Sequence, residues 1–436
     1  MKIVSTRNPE VSVSFKEAIF QGLAPDGGLY VPEGELNLRN EFLKMNKNTT
    51  FQEIAALVTG HFLQDEVGAE GVARIVKAAF PFSPVMRTLK DGLKIMELFH
   101  GPSCAFKDFG ASFLAATMEE YLRGSSEKAV ILTATSGDTG SAVAQAFHGK
   151  KNIEVVILYP SGRVSPLQEK QLTTLGGNVH ALEVQGSFDD CQRMVKEAFQ
   201  DPELSKAIPL TSANSISLGR LLPQSFYYLW AFAQLKEELS EDLVFCVPSG
   251  NFGNLTAGLY AWKWGLPVNS FLAATNRNDV VPEYLDSGIF QVRPSVLTPS
   301  NAMDVGNPSN FERMEHLFQK NWSLMRAMIR GDRVNDEETL ETMKDVWDRE
   351  KMDICPHTAV GVNAARKLLK ENPDLGTLVV LATAHPAKFL EVAEKAVGHK
   401  PKLPPEMMAL QDKVKISEII PPTKAALSAF LIRHFV

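Results

Sequence analysis

The sequence predicts an α/β protein whose parallel sheets are covered by helices on both faces. Three observations lead to this prediction. Apolar strand-like runs alternate with helical runs through the middle of the chain, from residue 128 to residue 200. The same alternation resumes near residue 243 and again near residue 377. Glycine-rich turns separate strand from helix in several of these units, as they do in βαβ structures.

The predicted elements follow one another regularly in the first region. The buried strand "KAVILTAT" leads through the turn "SGDTG" into the helix "SAVAQAFHG". The strand "NIEVVILYP", the helix "SPLQEKQLTTLGG" and the strand "NVHALEVQG" come next. Ser187 is in place to cap the following helix, "FDDCQRMVKEAF", because its hydroxyl can accept from a free N–H of the first turn.

Two later units have the same order of strand, loop and helix. They are "LVFCVPSGNFGNLTAGLYAWKWG" and "TLVVLATAHPAKFLEVAEKAV". Between them, "NDEETLETMKDVWDRE" places Leu340, Met343 and Trp347 at helical spacing, which predicts an amphipathic helix with a charged outer face. Residues 1–95 are less regular and more helical, so we expect a separate N-terminal unit there.

Composition narrows the class of protein. The chain has 436 residues, of which 44% are hydrophobic and 22% charged, and length alone suggests two or three domains. A net charge of −6 gives no general attraction to nucleic acid or to an anionic membrane. No apolar stretch approaches a membrane span or the core of a signal peptide. Four scattered cysteines without a CxxC motif predict neither a metal site nor a disulfide framework, which fits a reducing cytoplasm.

The loop "PSGNFGNLTAG" follows a predicted strand and opens a helix. Free backbone N–H groups and the helix dipole make such a place suitable for an anion. Gly250 and Gly253 would let the backbone wrap an oxyanion, and Asn251 and Asn254 add donors. The loop is neither a Walker phosphate loop nor G-x-G-x-x-G. A plain turn that needs glycine is the alternative, and we favour a phosphate or carboxylate site slightly over it.

A second loop, "TATSGDTGSA", surrounds two glycines with hydroxyl groups. Thr135, Ser136 and Thr139 could hold a small carboxylate together with backbone amides. Asp138 taken alone is better interpreted as a turn or capping residue. Two anion-binding loops together indicate an enzyme that holds two anionic groups.

A third group is basic and polar. A spare phosphate would suit it, because guanidinium binds phosphate through two parallel hydrogen bonds. The alternative is a pair of solvated helix starts, and these stretches alone do not exclude it. The members come from "YPSGRVSPLQEK" and "SANSISLGRLLPQ": Arg163, Ser165, Lys170, Asn214, Ser215 and Arg220.

One lysine, Lys107, lies among aromatic and small residues in "FHGPSCAFKDFG". Burying an ammonium is costly unless it is paired, neutralised or chemically used. On this stretch alone, a lysine whose stem covers apolar surface is the favoured interpretation. The Asp-Phe-Gly triplet of protein kinases fails on context, since no His-Arg-Asp loop accompanies it.

Taken together, the motifs closely resemble a known family over nearly the whole chain. They include "SFKEAIFQGLAPDGGLYVPE", "ELFHGPSCAFKDFG", "ILTATSGDTGSAVAQAF", "VILYPSGRVSPLQEKQLTTLGGNV", "SANSISLGRLLPQ", "VPSGNFGNLTAG", "SNAMDVGNPSNFERM" and "TAHPAKF". In this order and spacing they resemble the tryptophan-synthase-β, or fold type II, family of pyridoxal-phosphate enzymes. Within it, the chain is similar to the long bacterial and fungal type that makes L-threonine.

The resemblance implies a fold type II architecture. Two parallel-sheet α/β domains would hold the cofactor between them, beside an added N-terminal unit. The implied boundaries are residues 1–95 for the N-terminal domain, 96–118 with 216–436 for the large cofactor-binding domain, and 119–215 for the small α/β domain.

The resemblance also implies a role for each candidate residue. Lys107 would form the Schiff base with pyridoxal 5'-phosphate. Asp138 would lie near the cofactor's 3-hydroxyl, and Thr383 would face its pyridine nitrogen. The phosphate of the cofactor would be cradled by Gly250, Asn251, Phe252, Gly253 and Asn254. Thr135, Ser136 and Thr139 would hold the substrate carboxylate, and the basic group would hold the substrate phosphate.

The implied reaction converts O-phospho-L-homoserine and water to L-threonine and phosphate, the last step of threonine biosynthesis. Such an enzyme would be a cytoplasmic lyase, and the long type suggests a monomer. The alternatives are a threonine or serine dehydratase, another β-eliminating enzyme of this fold, or a non-catalytic relative that binds the cofactor. Ser217 and Cys104 depart from the family pattern, where Asn and Thr are expected.

Overall fold

A computed structural model describes residues 1–34, 36–135, 137–239 and 242–436. Within these ranges the strands are β1 (Ile3–Ser5), β2 (Ser12–Val13), β3 (Tyr30–Pro32), β4 (Val85–Thr88), β5 (Lys94–Glu97), β6 (Ala129–Ala134), β7 (Ile153–Pro160), β8 (Val179–Val184), β9 (Leu210–Thr211), β10 (Leu243–Pro248), β11 (Ser270–Thr275), β12 (Ile329–Arg333), β13 (Thr377–Ala382) and β14 (Glu418–Ile420).

The helices in the same ranges are α1 (Phe15–Gln21), α2 (Arg39–Lys44), α3 (Phe51–Ala79), α4 (Lys107–Tyr121), α5 (Asp138–Phe147), α6 (Pro166–Thr173), α7 (Phe188–Phe199), α8 (Pro202–Ala207), α9 (Leu218–Leu221), α10 (Phe226–Leu235), α11 (Gly253–Lys263), α12 (Val280–Ser287), α13 (Phe311–Leu317), α14 (Trp322–Met328), α15 (Asp336–Glu350), α16 (Pro356–Glu371), α17 (Leu390–Val397), α18 (Pro405–Met408) and α19 (Lys424–Phe435). Short 3₁₀ turns lie at Leu222–Ser225, Asn301–Met303 and Pro386–Phe389.

Two parallel sheets form the body of the protein. The six-stranded sheet has the order β12-β11-β10-β13-β5-β4, and only its edge strand β4 is antiparallel. The five-stranded sheet has the order β14-β8-β7-β6-β9 and is parallel throughout. Every residue of β10 is buried, as is nearly all of β6 and β7, because helices cover both faces of each sheet. The predicted fold class is confirmed.

The N-terminal unit is a small antiparallel sheet with helices. Its strands have the order β2-β1-β3. The long helix α3 is capped by Thr50 through a reciprocal bond with Glu53 and is kinked at Gly68, whose φ is 70°. Phe51, at the start of α3, packs edge-on against Phe80 and Phe109, so the unit shares its core with α4.

Strand pairing places the borders of these units differently from the sequence. The resemblance implied an N-terminal domain that ends at residue 95, but β4 and the first half of β5 lie before that border and belong to the six-stranded sheet. At the other end, β14 pairs with β8 in the five-stranded sheet, although residues 216–436 were assigned to the large domain. Local patterns could not reveal these memberships, because β5 joins its sheet through β13 and β14 joins its sheet through β8, and both pairings connect segments far apart in the chain.

The carboxyl ends of four strands mark the place where a ligand would bind. β5, β13 and β10 are neighbours in the six-stranded sheet, and the segments that follow them contain Lys107, Thr383 and the loop Gly250–Asn254. The segment after β6 of the five-stranded sheet contains Asp138. Ligands of open α/β proteins bind at such ends.

No helix in the described ranges is both long enough and apolar enough to cross a membrane.

Candidate active site

Lys107 is the first residue of α4 and is fixed by the segment that follows β13. The backbone N–H of Phe106 donates to the carbonyl of Thr383 at 2.8 Å, and the N–H of His385 donates to the carbonyl of Cys104 at 3.0 Å. Cys104 has a φ of 59°, which turns the chain sharply before the helix. These contacts hold the start of α4 against the end of β13.

The amine of Lys107 lies in a place that disfavours its charge. Burial lowers the pKa of Lys107, and the nearby charges of Arg220 and Lys388 lower it further. Asp138 acts in the opposite direction, because its carboxylate stabilises the ammonium. An amine that loses its proton readily is suited to forming a covalent bond and to transferring protons.

Asp138 is the first residue of α5 and is ionised. Its Oδ1 accepts from Lys388 Nζ at 2.8 Å and from Gln168 Nε2 at 3.2 Å. Burial by itself would raise the pKa of Asp138, but the charges of Lys388 and Lys107 outweigh it and hold that pKa well below its usual range. The site therefore contains an ionised carboxylate, paired with Lys388, close enough to Lys107 to affect its pKa.

Lys388 is the partner that the sequence did not identify. Its side chain is 0% exposed. Besides Asp138, its ammonium donates to the carbonyl of Ser103 at 2.7 Å and to Gln171 Oε1 at 3.1 Å. Three acceptors satisfy the three N–H groups of the ammonium. The only indication in the sequence that this lysine is buried is that its neighbours in "TAHPAKF" are mostly apolar.

The loop Gly250–Asn254 offers backbone rather than side-chain donors. Asn254 uses its amide within the loop, accepting from Ser249 Oγ at 2.5 Å and donating to the carbonyl of Pro248 at 2.9 Å. Asn251 donates to Ser215 Oγ at 2.6 Å and accepts from the N–H of Ser309 at 2.6 Å. In the described part of the chain, no protein acceptor bonds the backbone N–H groups of residues 250–254. A row of free N–H groups at the start of α11 fits a phosphate.

Two conformational details shape this loop. A Cβ on Gly250 would lie 2.6 Å from the Cα of Met303, so only glycine fits between the loop and that backbone. Phe252 has a φ of 58° and is buried, and its left-handed conformation turns the chain into α11. Together these details let the backbone bend tightly before the helix.

The hydroxyls of the second loop serve partly to cap α5. Thr135 Oγ1 accepts from the N–H groups of Gly137 and Gly140 at 3.1 and 3.0 Å. Thr139 lies half-buried in the first turn of α5. Ser136 lies outside the described residues. The assignment of these residues to the substrate carboxylate stays a prediction.

The segment from Asn214 to Arg220 reaches both loops. Asn214 Oδ1 accepts from Thr133 Oγ1 at 2.9 Å, at the end of β6. Arg220 is 2% exposed, and its Nη1 donates to the carbonyl of Ala213 at 2.8 Å. Its Nε has no partner within the described residues. Burial lowers the pKa of Arg220 to about 10, while Asp108 opposes this effect. Arg220 is thus a buried cation with an unused donor.

Three further members of the predicted basic group lie on or just before α6 and are exposed or have partners of their own. Arg163 is exposed, Ser165 caps α6 by accepting from the N–H of Gln168, and Lys170 Nζ bonds the carbonyl of Gln411. No hydrogen bond in the described ranges joins any of the three to Lys107 or Arg220. Their role toward a substrate phosphate stays a prediction.

His357 is the second residue of α16 and is buried. Its Nε2 accepts from the N–H of Ala302 at 3.1 Å, which places the proton on Nδ1. Burial lowers the pKa of His357 to about 4, although Asp138 opposes this. Nδ1 has no partner among the described residues. His357 is therefore a neutral imidazole whose pKa responds to the charges of Asp138 and Lys107.

The residues present fit pyridoxal phosphate. Lys107 supplies an amine with a lowered pKa, and residues 250–254 supply free N–H groups at a helix start. Gly250 and Gly253 keep this cradle open, since a Cβ on Gly253 would approach the amide nitrogen of Asn310 to 3.3 Å. The two features follow β5 and β10, the strands on either side of β13 in one sheet, as a cofactor that spans them requires.

Comparison with known proteins agrees with this geometry. Residues 90–384 match the family model described as pyridoxal-phosphate dependent enzyme, so the chain belongs to that class. Residues 2–80 match the threonine synthase N terminus and residues 358–431 the threonine synthase C-terminal model. The chain belongs to the threonine synthase family, and it is a pyridoxal-phosphate-dependent lyase.

Individual relatives cover the whole chain. The threonine synthase of Serratia marcescens is 43% identical over 437 residues, which is 99% of each chain. The crystal structure of threonine synthase from Escherichia coli has a TM-score of 0.88 at 42% identity and covers 100% of both chains. A PLP-bound threonine synthase from Brucella melitensis has a TM-score of 0.93 at 34% identity and covers 100% of this chain and 99% of that one. These findings favour the main interpretation over a dehydratase or a non-catalytic relative.

Proposed function

We propose that this chain converts O-phospho-L-homoserine and water to L-threonine and phosphate in the cytoplasm, and that it acts as a monomer without nucleic-acid or membrane partners. The observation that carries the proposal is Arg220, a buried cation with an unused Nε beside Lys107. It is separate from the free N–H groups of residues 250–254. Two anion sites suit a substrate phosphate in addition to the cofactor phosphate, whereas a dehydratase needs only one of them.

The cofactor would be held by groups from several segments. The backbone of Gly250–Asn254 would bind its phosphate, Lys107 would attach to it, Asp138 would lie at its 3-hydroxyl, and Thr383 would face its ring nitrogen. When bound, pyridoxal phosphate supplies an electron sink that makes protons on the substrate's carbon atoms acidic. A neutral hydroxyl at Thr383 would keep that sink weaker than a carboxylate would, which favours elimination and replacement over transamination.

Lys107 would then move protons. Its lowered pKa makes the ammonium lose its proton more readily, so the free amine can accept a proton from the α carbon and, once it has released that proton, one from the β carbon of the substrate. The same amine, once charged, can return a proton after water has added at the β carbon. The nearby carboxylate of Asp138 stabilises the ammonium in the interval.

Arg220 would bind the substrate phosphate and stabilise charge as it leaves the γ carbon. Ser215 and Asn214 lie on the same segment and offer a hydroxyl and an amide. Thr135, Ser136 and Thr139 at the start of α5 would bind the substrate carboxylate, helped by the helix dipole. Arg163, Ser165 and Lys170 complete the proposed set on and before α6, next to Gln168, which already contacts Asp138.

The test is release of inorganic phosphate together with L-threonine from O-phospho-L-homoserine. Arg220→Ala should lower kcat/KM about 30- to 1,000-fold, and Arg220→Lys should recover part of the loss, because an ammonium keeps the charge without the planar fork. Cofactor affinity should stay near that of the wild type in both variants. Arg277→Ala is the matched control, since Arg277 pairs with Asp336 at the surface.

Two results would contradict the proposal. One is a kcat/KM that stays within about threefold of the wild type in both Arg220 variants. The other is a wild-type enzyme that deaminates threonine or serine but releases no phosphate from O-phospho-L-homoserine.

A further inference from the structure

The strongest unexplained feature near the site is a buried lysine to which the proposed function gives no role. Lys388 lies in the 3₁₀ turn Pro386–Phe389, just beyond β13 of the six-stranded sheet. Its ammonium contacts Asp138 on α5 and Gln171 on α6, two helices that pack on the five-stranded sheet. It also contacts the carbonyl of Ser103, a few residues before Lys107. One ammonium therefore joins the two parallel-sheet units and the segment that leads to Lys107.

The charges explain why a lysine is needed there. A buried carboxylate without a partner is costly, and the side chain of Asp138 is only 5% exposed. Gln168 gives this carboxylate a neutral donor but no charge. Lys388 gives it both, at 2.8 Å, so that the pair has no net charge. A neutral pair offers hydrogen-bonding atoms at this position without adding a net charge beside the cofactor.

We propose that Lys388 is a positioning residue for the cofactor: it neutralises Asp138 and fixes its carboxylate relative to Lys107, so that the Asp138–Lys388 pair acts as one polar group. This inference rests on the proposed placement of Lys107 and Asp138 at the cofactor. It assigns a role to a residue that is not among those proposed to bind the cofactor. If so, tight cofactor binding requires Lys388 because residue 138 is an aspartate. With an uncharged asparagine at position 138, the loss of Lys388 should have little effect on cofactor binding.

The test is a double-mutant cycle on the affinity of the full chain for pyridoxal phosphate, measured by titration of cofactor-free protein without substrate. Lys388→Met keeps the length of the stem and removes the charge. We expect it to weaken cofactor binding about 30-fold or more, because it leaves Asp138 unpaired. Asp138→Asn combined with Lys388→Met should bind within about fivefold of Asp138→Asn alone. Lys424→Met, which breaks the surface pair of Lys424 with Asp201, is the matched control.

Thermal unfolding of the same cofactor-free proteins gives a second readout. If Lys388→Met does not fold, recovery of folding and binding in the double variant supports the proposal. Wild-type affinity in Lys388→Met overturns it. So does an equal loss in Lys388→Met and in the double variant, because Lys388 would then act through Ser103 or Gln171 alone. Since no substrate is present, these outcomes are independent of whether the enzyme turns over O-phospho-L-homoserine.

Discussion

Single side chains at this site work through the charge of their neighbours. Lys107 is the clearest case, because its pKa is lowered by burial and by two cations and raised by one carboxylate. The balance leaves an amine that is reactive but held close to a counter-ion. A lone lysine on an apolar surface would also have a lowered pKa, but it would have no carboxylate nearby to stabilise its ammonium form.

Replacing Lys107 tests its direct role. Lys107→Ala should abolish the absorbance band of the Schiff base between lysine and cofactor and lower threonine formation more than about 1,000-fold, since a covalent attachment and a proton carrier are lost together, which corresponds to about 4 kcal/mol or more. The far-ultraviolet circular dichroism should match the wild type. Turnover above a thousandth of wild type would count against a direct role.

His357 predicts a pH dependence of stability. Its pKa is about 4 in the folded protein and about 6.5 when exposed, so the unfolded chain takes up the proton first as the pH falls. The stability from the neutral imidazole is complete above pH 6.5 and is lost as the pH falls toward 4. In urea unfolding, the loss between these values should be about 3 kcal/mol smaller in His357→Gln than in the wild type. His61 is exposed, so in His61→Gln the free energy of unfolding should depend on pH as it does in the wild type. The prediction is refuted if the free energy of unfolding of His357→Gln changes with pH as much as that of the wild type.

At the scale of elements, loops and the helices they open set the geometry of the site. The loop Gly250–Asn254 bends before α11 because Gly250 lies against the backbone of Met303 and Phe252 adopts a positive φ. The side chains of Asn251 and Asn254 hold the loop and leave its N–H groups free. The affinity of the loop for an anion therefore depends on this backbone conformation, which keeps its N–H groups free.

Adding one methyl group to this loop should show that dependence. Gly250→Ala would place a Cβ 2.6 Å from the Met303 backbone, so we expect a loss of about 1–3 kcal/mol in stability and at least tenfold weaker cofactor binding. Gly253→Ala should be milder, because its Cβ meets a side-chain amide at 3.3 Å. Gly60→Ala, inside α3 with only an ordinary contact at 3.5 Å, should leave cofactor binding unchanged. Equal binding by the Gly250 and Gly60 variants would contradict this account.

Local patterns in the sequence predicted the elements well. The strand in "NIEVVILYP" is β7, and Ser187 caps α7 with the expected bond to the N–H of Asp190. In "NDEETLETMKDVWDRE" the helix is present, but Val346 and Met343 are buried while Leu340 and Trp347 are only partly so. Hydrophobic periodicity and helix capping depend on a few adjacent residues, so both can be recognised from a short stretch of sequence.

Contacts between distant segments could not be predicted in this way. Lys388 meets Asp138 only because the two sheets approach each other, and no spacing in the sequence encodes that approach. The use of Asn251 and Asn254 within their own loop is another example, since the residue type indicated a donor but not its partner. The resemblance to a family located the site, while the partners of each polar group came from the fold.

On the scale of the whole molecule, Arg313 links the N-terminal unit to the site. It is fully buried and donates to the carbonyl of Tyr30 at 3.1 and 2.9 Å, and to the carbonyl of Ile216 at 2.6 Å. It also donates to Asn310 Oδ1 at 2.8 Å, and Asn310 in turn donates to the carbonyl of Asn251. The N-terminal unit is thereby connected to the loop that is proposed to bind the cofactor phosphate.

Arg313→Met should loosen this connection. Three acceptors would lose their donor, so we expect the free energy of unfolding to fall by about 3 kcal/mol in urea, with faster proteolytic cleavage between α3 and β4. Arg277→Met, at the surface, should change the free energy by less than about 1 kcal/mol. Unfolding and proteolysis at the wild-type level in Arg313→Met would show that the N-terminal unit is held by its apolar contacts alone.

The path of the chain also determines when each sheet can be completed during synthesis. β5 leaves the ribosome early, but its partner β13 follows only after the whole five-stranded region except β14 has been made. β14 is the last strand of all, and it closes the edge of the sheet next to β8, supported by the contacts of α19 with α7. A nascent or prematurely terminated chain that lacks its last twenty or so residues would have no β14. Its open sheet edge would therefore be β8 in the five-stranded sheet, and not a strand of the six-stranded sheet, which β13 completes later than β8 is made. We expect incomplete chains to aggregate, or to bind chaperones, through the unpaired edge of β8 (Val179–Val184), which lies near the middle of the sequence.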